Sequence, residues 1–184
     1  MTVQVERQLF TVEEYYKMAE VGILKPTERF ELIKGEIYKM SPINSQHAGH
    51  VTRLNTLLNR LLSEKAIISI QNPIHINNFS EPEPDIAVLK PVDHFYIERH
   101  PQPEDVLLII EISDTSLRHD RQVKLPLYAE AGIPEVWILN LLENAIEIYR
   151  NPARQSYQAT QIVKSGEKIA IPLGLYLEVK DIIG

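Results

Sequence analysis

The chain has 184 residues, 44% of them apolar and 24% charged, with a net charge of −6 and no cysteine. That length buries a real core within one domain, taken as 1–184 with a core over about 10–180. The missing cysteine excludes disulfides, thiolate zinc sites and cysteine nucleophiles, and the acidic balance disfavours polyanion binding through overall charge. The first twenty residues hold four acids and no continuous apolar stretch, and no later stretch approaches a membrane span, so a soluble cytoplasmic protein is expected.

Thr11 followed by Glu14 is a capping-box pattern that opens a short helix through about Glu20, closed by Gly22. The run from Arg29 to Ile33, the Lys34-Gly35 turn and the run from Glu36 to Met40 read as a β-hairpin. Glu31 and Glu36 flank its turn and read as exposed acids unless the hairpin leans over a site. Ser45 is the expected N-cap of a helix to about Lys65, whose Val51, Leu54, Leu58 and Leu61 form a buried face. His47 and His50 lie at the start of that face, open to metal ligation, to phosphate contact, or to capping and packing; no HExxH pattern accompanies them.

A strand over Ile67 to Ile70 is expected to resume after Pro73 through Ile74 to Ile76, with His75 pointing outward. Glu81-Pro82-Glu83-Pro84 then holds the backbone extended and delivers Asp85 into a strand ending at Leu89. Lys90 to Asp105 is a polar loop with three prolines, expected to cover a cleft or lie in a dimer contact. Val106 to Ile112 is apolar without alternation except for Glu111, the pattern of a strand buried on both faces.

Turn residues from Ser113 to Ser116 precede a helix to Ala131, ended by Gly132 and Pro134. Asp120, Lys124 and Tyr128 recur every four residues on one face of it, while Pro126 predicts a kink or a later start. Arg118, Arg121 and Lys124, with His119, form either a basic strip or a solvated face. Glu135 to Asn140 and Ala145 to Tyr149 read as a hairpin around Glu143-Asn144, with Trp137 and Tyr128 as core residues. Ile162-Val163, Lys168 to Ile171 and Leu175 to Val179 are expected as closing strands.

Glu111 is an anomaly, because a buried charge must be paired or bind a metal. If its strand pairs antiparallel with the one after Asp85, both carboxylates reach the same sheet edge. Two acids there suit a divalent cation, since like charges at close range do not both ionise without one.

The order helix, strand, acid-led strand, acid-tipped strand, helix, strand, with Pro84-Asp85, Glu111-Ile112-Ser113 and Lys124, resembles the PD-(D/E)XK nuclease superfamily. The hairpin from Glu31 to Glu36, the strand ending at Ser113, Asp120-Arg121, Lys124, Tyr128 and the run from Gly132 to Leu139 resemble the bacterial Uma-two family, whose members are described as putative restriction endonucleases. The resemblance implies an α/β, restriction-endonuclease-like fold with a mixed central sheet flanked by helices. It implies Mg²⁺ or Mn²⁺ held by Asp85, Glu111 and the Ile112 carbonyl, with Lys124 replacing a strand lysine whose place Ser113 takes. Ser113, Asp120, Glu36 and His47 are the auxiliary candidates. The implied activity is metal-dependent cleavage of nucleic acid, DNA above all, by a homodimer; the alternatives are a non-catalytic binding module and a hydrolase of small phosphoesters.

Overall fold

The computed structural model describes residues 6–184. Helix α1 (Val12–Glu20) starts on the Thr11–Glu14 capping box, and strands β1 (Phe30–Ile33) and β2 (Glu36–Lys39) form the hairpin. Its turn needs a glycine at residue 35, where φ is +77° and a Cβ would lie 2.6 Å from that of Leu9. Helix α2 (Ser45–Leu62) is capped by Asn44 rather than Ser45: the Asn44 side chain accepts from the His47 N–H. A 3₁₀ turn, Ser63–Lys65, finishes it. Leu62 takes the buried place expected for Leu61, alongside Val51, Leu54 and Leu58.

The core is a six-stranded sheet in the order β3 (Ile67–Ile70), β4 (Ile86–Leu89), β5 (Val106–Ser113), β6 (Glu135–Asn140), β7 (Ala145–Ala153), β8 (Ser156–Lys164). Neighbours are antiparallel except β5 and β6, so the sheet is mixed as expected. A parallel pair needs a crossover connection, and here a broken helix supplies it. That helix runs through α3 (Leu117–His119), a π-turn (Asp120–Lys124) and α4 (Leu125–Glu130).

Pro126 explains the break. It has no N–H to continue the ladder, and the chain widens just before it, where the Leu125 N–H reaches back five residues to the Asp120 carbonyl. Asp120, Lys124 and Tyr128 still all face inward and are buried.

Side-chain alternation on β4 and β5 sorts the two faces. Ile86, Val88, Leu108, Ile110 and Ile112 pack against α2, while Ala87 and Ile109 share the opposite core with Tyr128 and Ile133. Each fully buried leucine of α2 contributes on the order of 1.5–3 kcal/mol. Glu111, one step from Ile110 and Ile112, is thereby turned toward the crossover helix.

Several expectations change. Residues 74–76 are irregular rather than a strand: Ile74 and Ile76 donate to Pro82 and Ser80, and His75 is held against Glu81. Strands β7 and β8 run longer than expected because β8 is a polar edge strand, paired on one side only, with no apolar pattern to betray it. Strands β9 (Lys168–Ile171) and β10 (Leu175–Glu178) pair with each other in a two-stranded sheet of their own rather than closing the central one, and Val179 opens a short helix, α5 (Val179–Ile183), which buries Val179 and Ile182. The basic strip also does not form. Lys124 is buried, Arg118 bonds Gln122, and Arg121 makes a two-pronged pair with Glu147 on β7. No described helix is long and apolar enough to cross a membrane.

The Arg121–Glu147 pair anchors the crossover helix to the sheet, with Asn140 and Tyr149 also donating to Glu147. Burial raises the Glu147 carboxyl, but these bonds outweigh it and hold the group below its ordinary 4.5. Its contribution is therefore complete above that value and fades as pH falls through the folded one. Arg121→Ala is expected to cost about 1–2 kcal/mol at neutral pH, the low end because solvent screens Arg121. Urea denaturation at neutral and acid pH checks this: the loss should shrink toward acid, and an undiminished loss would contradict it.

Candidate active site

The register of β4 on β5 pairs Ile86 with Ile110, so one step further Asp85 meets Glu111 as the antiparallel expectation required. The Asp85 N–H lies 3.4 Å from Glu111 Oε2, and the Ile112 N–H donates to Asp85 Oδ2 at 2.9 Å. His47, from the first turn of α2, puts its Nε2 3.0 Å from the same oxygen, and Gln71 donates to Oδ1 at 3.2 Å. Burial raises the Asp85 carboxyl, but His47, Ile112 and Lys124 bring it below its usual value. The bond to Asp85 in turn raises His47 against the opposing effect of burial. The other imidazole nitrogen, Nδ1, is buried and finds no hydrogen-bond partner among the described residues.

Lys124 comes from the crossover helix. Its Nζ is 2.8 Å from Glu111 Oε1, 3.3 Å from Glu31 Oε2, and donates to the Glu83 carbonyl at 3.2 Å. Burial opposes its charge, yet Glu111 and Glu31 hold it well above the ordinary lysine range, so it remains an ammonium. Burial pushes Glu111 up to about 8 against the pull of Lys124, with Asp120 and Asp85 adding to the rise. Tyr128 donates to Glu111 Oε1 at 2.6 Å, so the core tyrosine also belongs to this centre.

Glu31 is the main surprise. It is buried rather than exposed, and His119, Lys124 and the Glu83 N–H all approach its carboxylate. Burial raises it, but Lys124 and His119 bring it down to about 2. The signal was present in β1: Glu31 shares a strand face with Ile33, and an isoleucine on that face argues against solvent.

The auxiliary candidates divide. Ser113 and Ser116 donate to Asp120 Oδ2 at 2.6 and 2.7 Å, so Asp120 ties the helix to β5 rather than pairing with Lys124. His47 is at the centre. Glu36 is not: it bonds Arg7 and Tyr38 and does not line the cleft. His50 holds the Gln46 carbonyl, and no residue of the 90–105 loop lines the cleft.

The cleft has a volume of about 270 Å³ and is walled by the β1–β2 hairpin, residues 40–44, the start of α2 and the turn after β5. Among the described residues no three His, Cys, Asp or Glu groups gather as a metal cage. The donor chemistry still fits a hard cation. Glu31, Asp85, Glu111 and Asp120 are buried against a single buried lysine, and Asp85 and Glu111 both open onto the cleft.

The family model Uma2, described as "Putative restriction endonuclease", matches residues 12–180. A search of curated proteins finds no match. A crystal structure of a "putative nuclease belonging to DUF820" from Anabaena variabilis ATCC 29413 is similar over 95% of this chain and 97% of that one, with a TM-score of 0.70 and 16% identity. At that identity the likeness establishes the fold, a nuclease-like α/β sheet. On the family match, the chain belongs to the Uma2 family.

Proposed function

We propose that the chain is a metal-dependent endonuclease that hydrolyses phosphodiester bonds of nucleic acid, DNA in the first instance. The observation that carries this reading is the meeting of Asp85 and Glu111 at the β4–β5 edge with the Lys124 ammonium 2.8 Å from Glu111. Asp85, Glu111 and the Ile112 carbonyl would hold Mg²⁺ or Mn²⁺, which when bound polarises a phosphoryl oxygen and lowers the pKa of a coordinated water.

The protein groups do the rest. Lys124 stays charged and so would stabilise the phosphorane through its positive field rather than act as a base. Glu31 and the Glu83 carbonyl fix its position, and His47, itself on the cleft wall, orients Asp85 as an outer partner orients a ligand. Ser113 does not substitute for the missing strand lysine, because its hydroxyl is spent on Asp120.

A non-catalytic binding module is the second reading. It is favoured by one feature: Glu111 Oε1 is already engaged by both Lys124 and Tyr128.

Purified protein incubated with plasmid and with single-stranded DNA, in Mg²⁺ and then Mn²⁺, separates the readings. Wild type should cut, with Asp85→Asn inactive and Lys124→Gln slower by roughly 10²–10³-fold, the effect of removing one transition-state donor. Circular dichroism must show both variants folded. Cleavage equal in all three proteins would reject the assignment, and binding without turnover would favour the second reading.

Glu31→Gln tests the hairpin acid that is buried beside Lys124. It removes one of the two carboxylates holding Lys124 while keeping the shape. The turnover number should fall roughly 10–100-fold, as for other outer-shell partners, with KM little changed. A rise in KM alone would assign Glu31 to substrate binding.

A further inference from the structure

We infer that the cleft accepts a single-stranded polynucleotide, with an unpaired base stacked on Tyr38 and His119, in preference to an intact duplex. This rests on the nuclease reading for its phosphate chemistry, but the preference itself stands on burial, shape and charge.

Asp85, Glu111 and Lys124 retain only 7%, 3% and 3% of their surface. They lie at the bottom of a cleft of about 270 Å³, below the roughly 300–1,000 Å³ of ordinary small-ligand sites. A phosphate reaches them only if its strand bends inward. A duplex is stiff, with a persistence length near 150 base pairs, and carries its complementary strand with every phosphate. An unpaired strand bends without that penalty.

Charge points the same way. Six carboxylates line the cleft against three Lys or Arg side chains, Arg29, Lys39 and Lys124. Lys124 is buried, and both rim cations already have acidic partners, Arg29 with Glu83 at 2.9 Å and Lys39 with Glu28 at 2.5 Å. Such a site can neutralise about two phosphates at most. A protein that grips duplex DNA through six or more has a salt slope steeper than about −5, whereas two contacts to a single strand give about −1.4.

The cleft wall supplies what charge does not. The Tyr38 and His119 rings stand 4.9 Å apart at 55°. Each is fixed by a bond to an acid, Tyr38 to Glu36 at 2.7 Å and His119 to Glu31 at 3.3 Å. Both line the cleft and neither is fully buried. Aromatic faces held beside a phosphate site are how single strands are gripped with few ionic contacts.

The test is fluorescence anisotropy of the full chain with Ca²⁺, using a labelled 20-nucleotide single strand, as DNA and as RNA, and the blunt duplex of the same sequence. At least one single strand should bind tenfold or more tightly than the duplex, with a salt slope no steeper than about −2. Tyr38→Leu should weaken that binding roughly five- to hundredfold while Tyr38→Phe retains it, and both should melt like wild type. Equal or tighter duplex binding overturns the inference, as does a Tyr38→Leu protein with unchanged affinity. Cleavage in Mn²⁺ is scored separately: single-strand binding without cleavage rejects the nuclease reading and leaves this one standing, whereas binding to neither polynucleotide overturns both.

Discussion

The structure turns on one lysine. The Lys124 ammonium is 3% exposed and lies between Glu111 from the central sheet and Glu31 from the hairpin outside it. Removing one partner of a buried pair strands the other and costs about 3–5 kcal/mol, so three separately folded elements are tied to this contact. The crossover helix must hang over β5 to supply the lysine, β4 must align with β5 to bring Asp85 beside it, and the hairpin must fold down to cover it. The parallel β5–β6 step forces the first of these, the register of Ile86 with Ile110 the second. The hairpin is held by the Glu81 N–H to the Leu32 carbonyl at 2.7 Å and by the Lys34 N–H to Ser80 at 2.9 Å.

One lysine does not balance the acids around it. Glu31 is satisfied by Lys124, His119 and a backbone amide; Asp120 is satisfied by two serines; Asp85 shares His47. Glu111 shares Lys124 with Glu31, and burial, with Asp120 and Asp85 adding to it, still pushes its carboxyl up. A buried carboxyl pushed up in this way is a group for which a divalent cation would be the better partner. The same surplus makes the cleft hostile to a densely charged duplex and receptive to a strand that brings few phosphates.

Much of this was legible beforehand because the patterns were local. The apolar run broken by Glu111 identifies the central strand, the prolines around Glu83 identify the approach to Asp85, and Pro126 identifies the break in the crossover helix. The fold and the Asp85, Glu111 and Lys124 placements rest on those three signals. Contacts between distant elements left weaker marks. Glu31 reads as a hairpin acid because nothing local says that the hairpin covers a site 80 residues away. The basic spacing of Arg118, Arg121 and Lys124 dissolves because each reaches a different partner, Gln122, Glu147 and Glu111. Only Ile162-Val163 of strand β8 stand out because the rest of it is polar, and helix α5 is too short to show a period.

The central claim is that Asp85 and Glu111 form one cation site with Lys124 poised beside it. A crystal soaked in Mn²⁺ and measured at the manganese edge tests it most directly. The account predicts one anomalous peak within about 2–2.6 Å of carboxylate oxygens from both Asp85 and Glu111, with Lys124 still within reach of Glu31. A peak held by other residues, or none at a concentration that supports turnover, would contradict it.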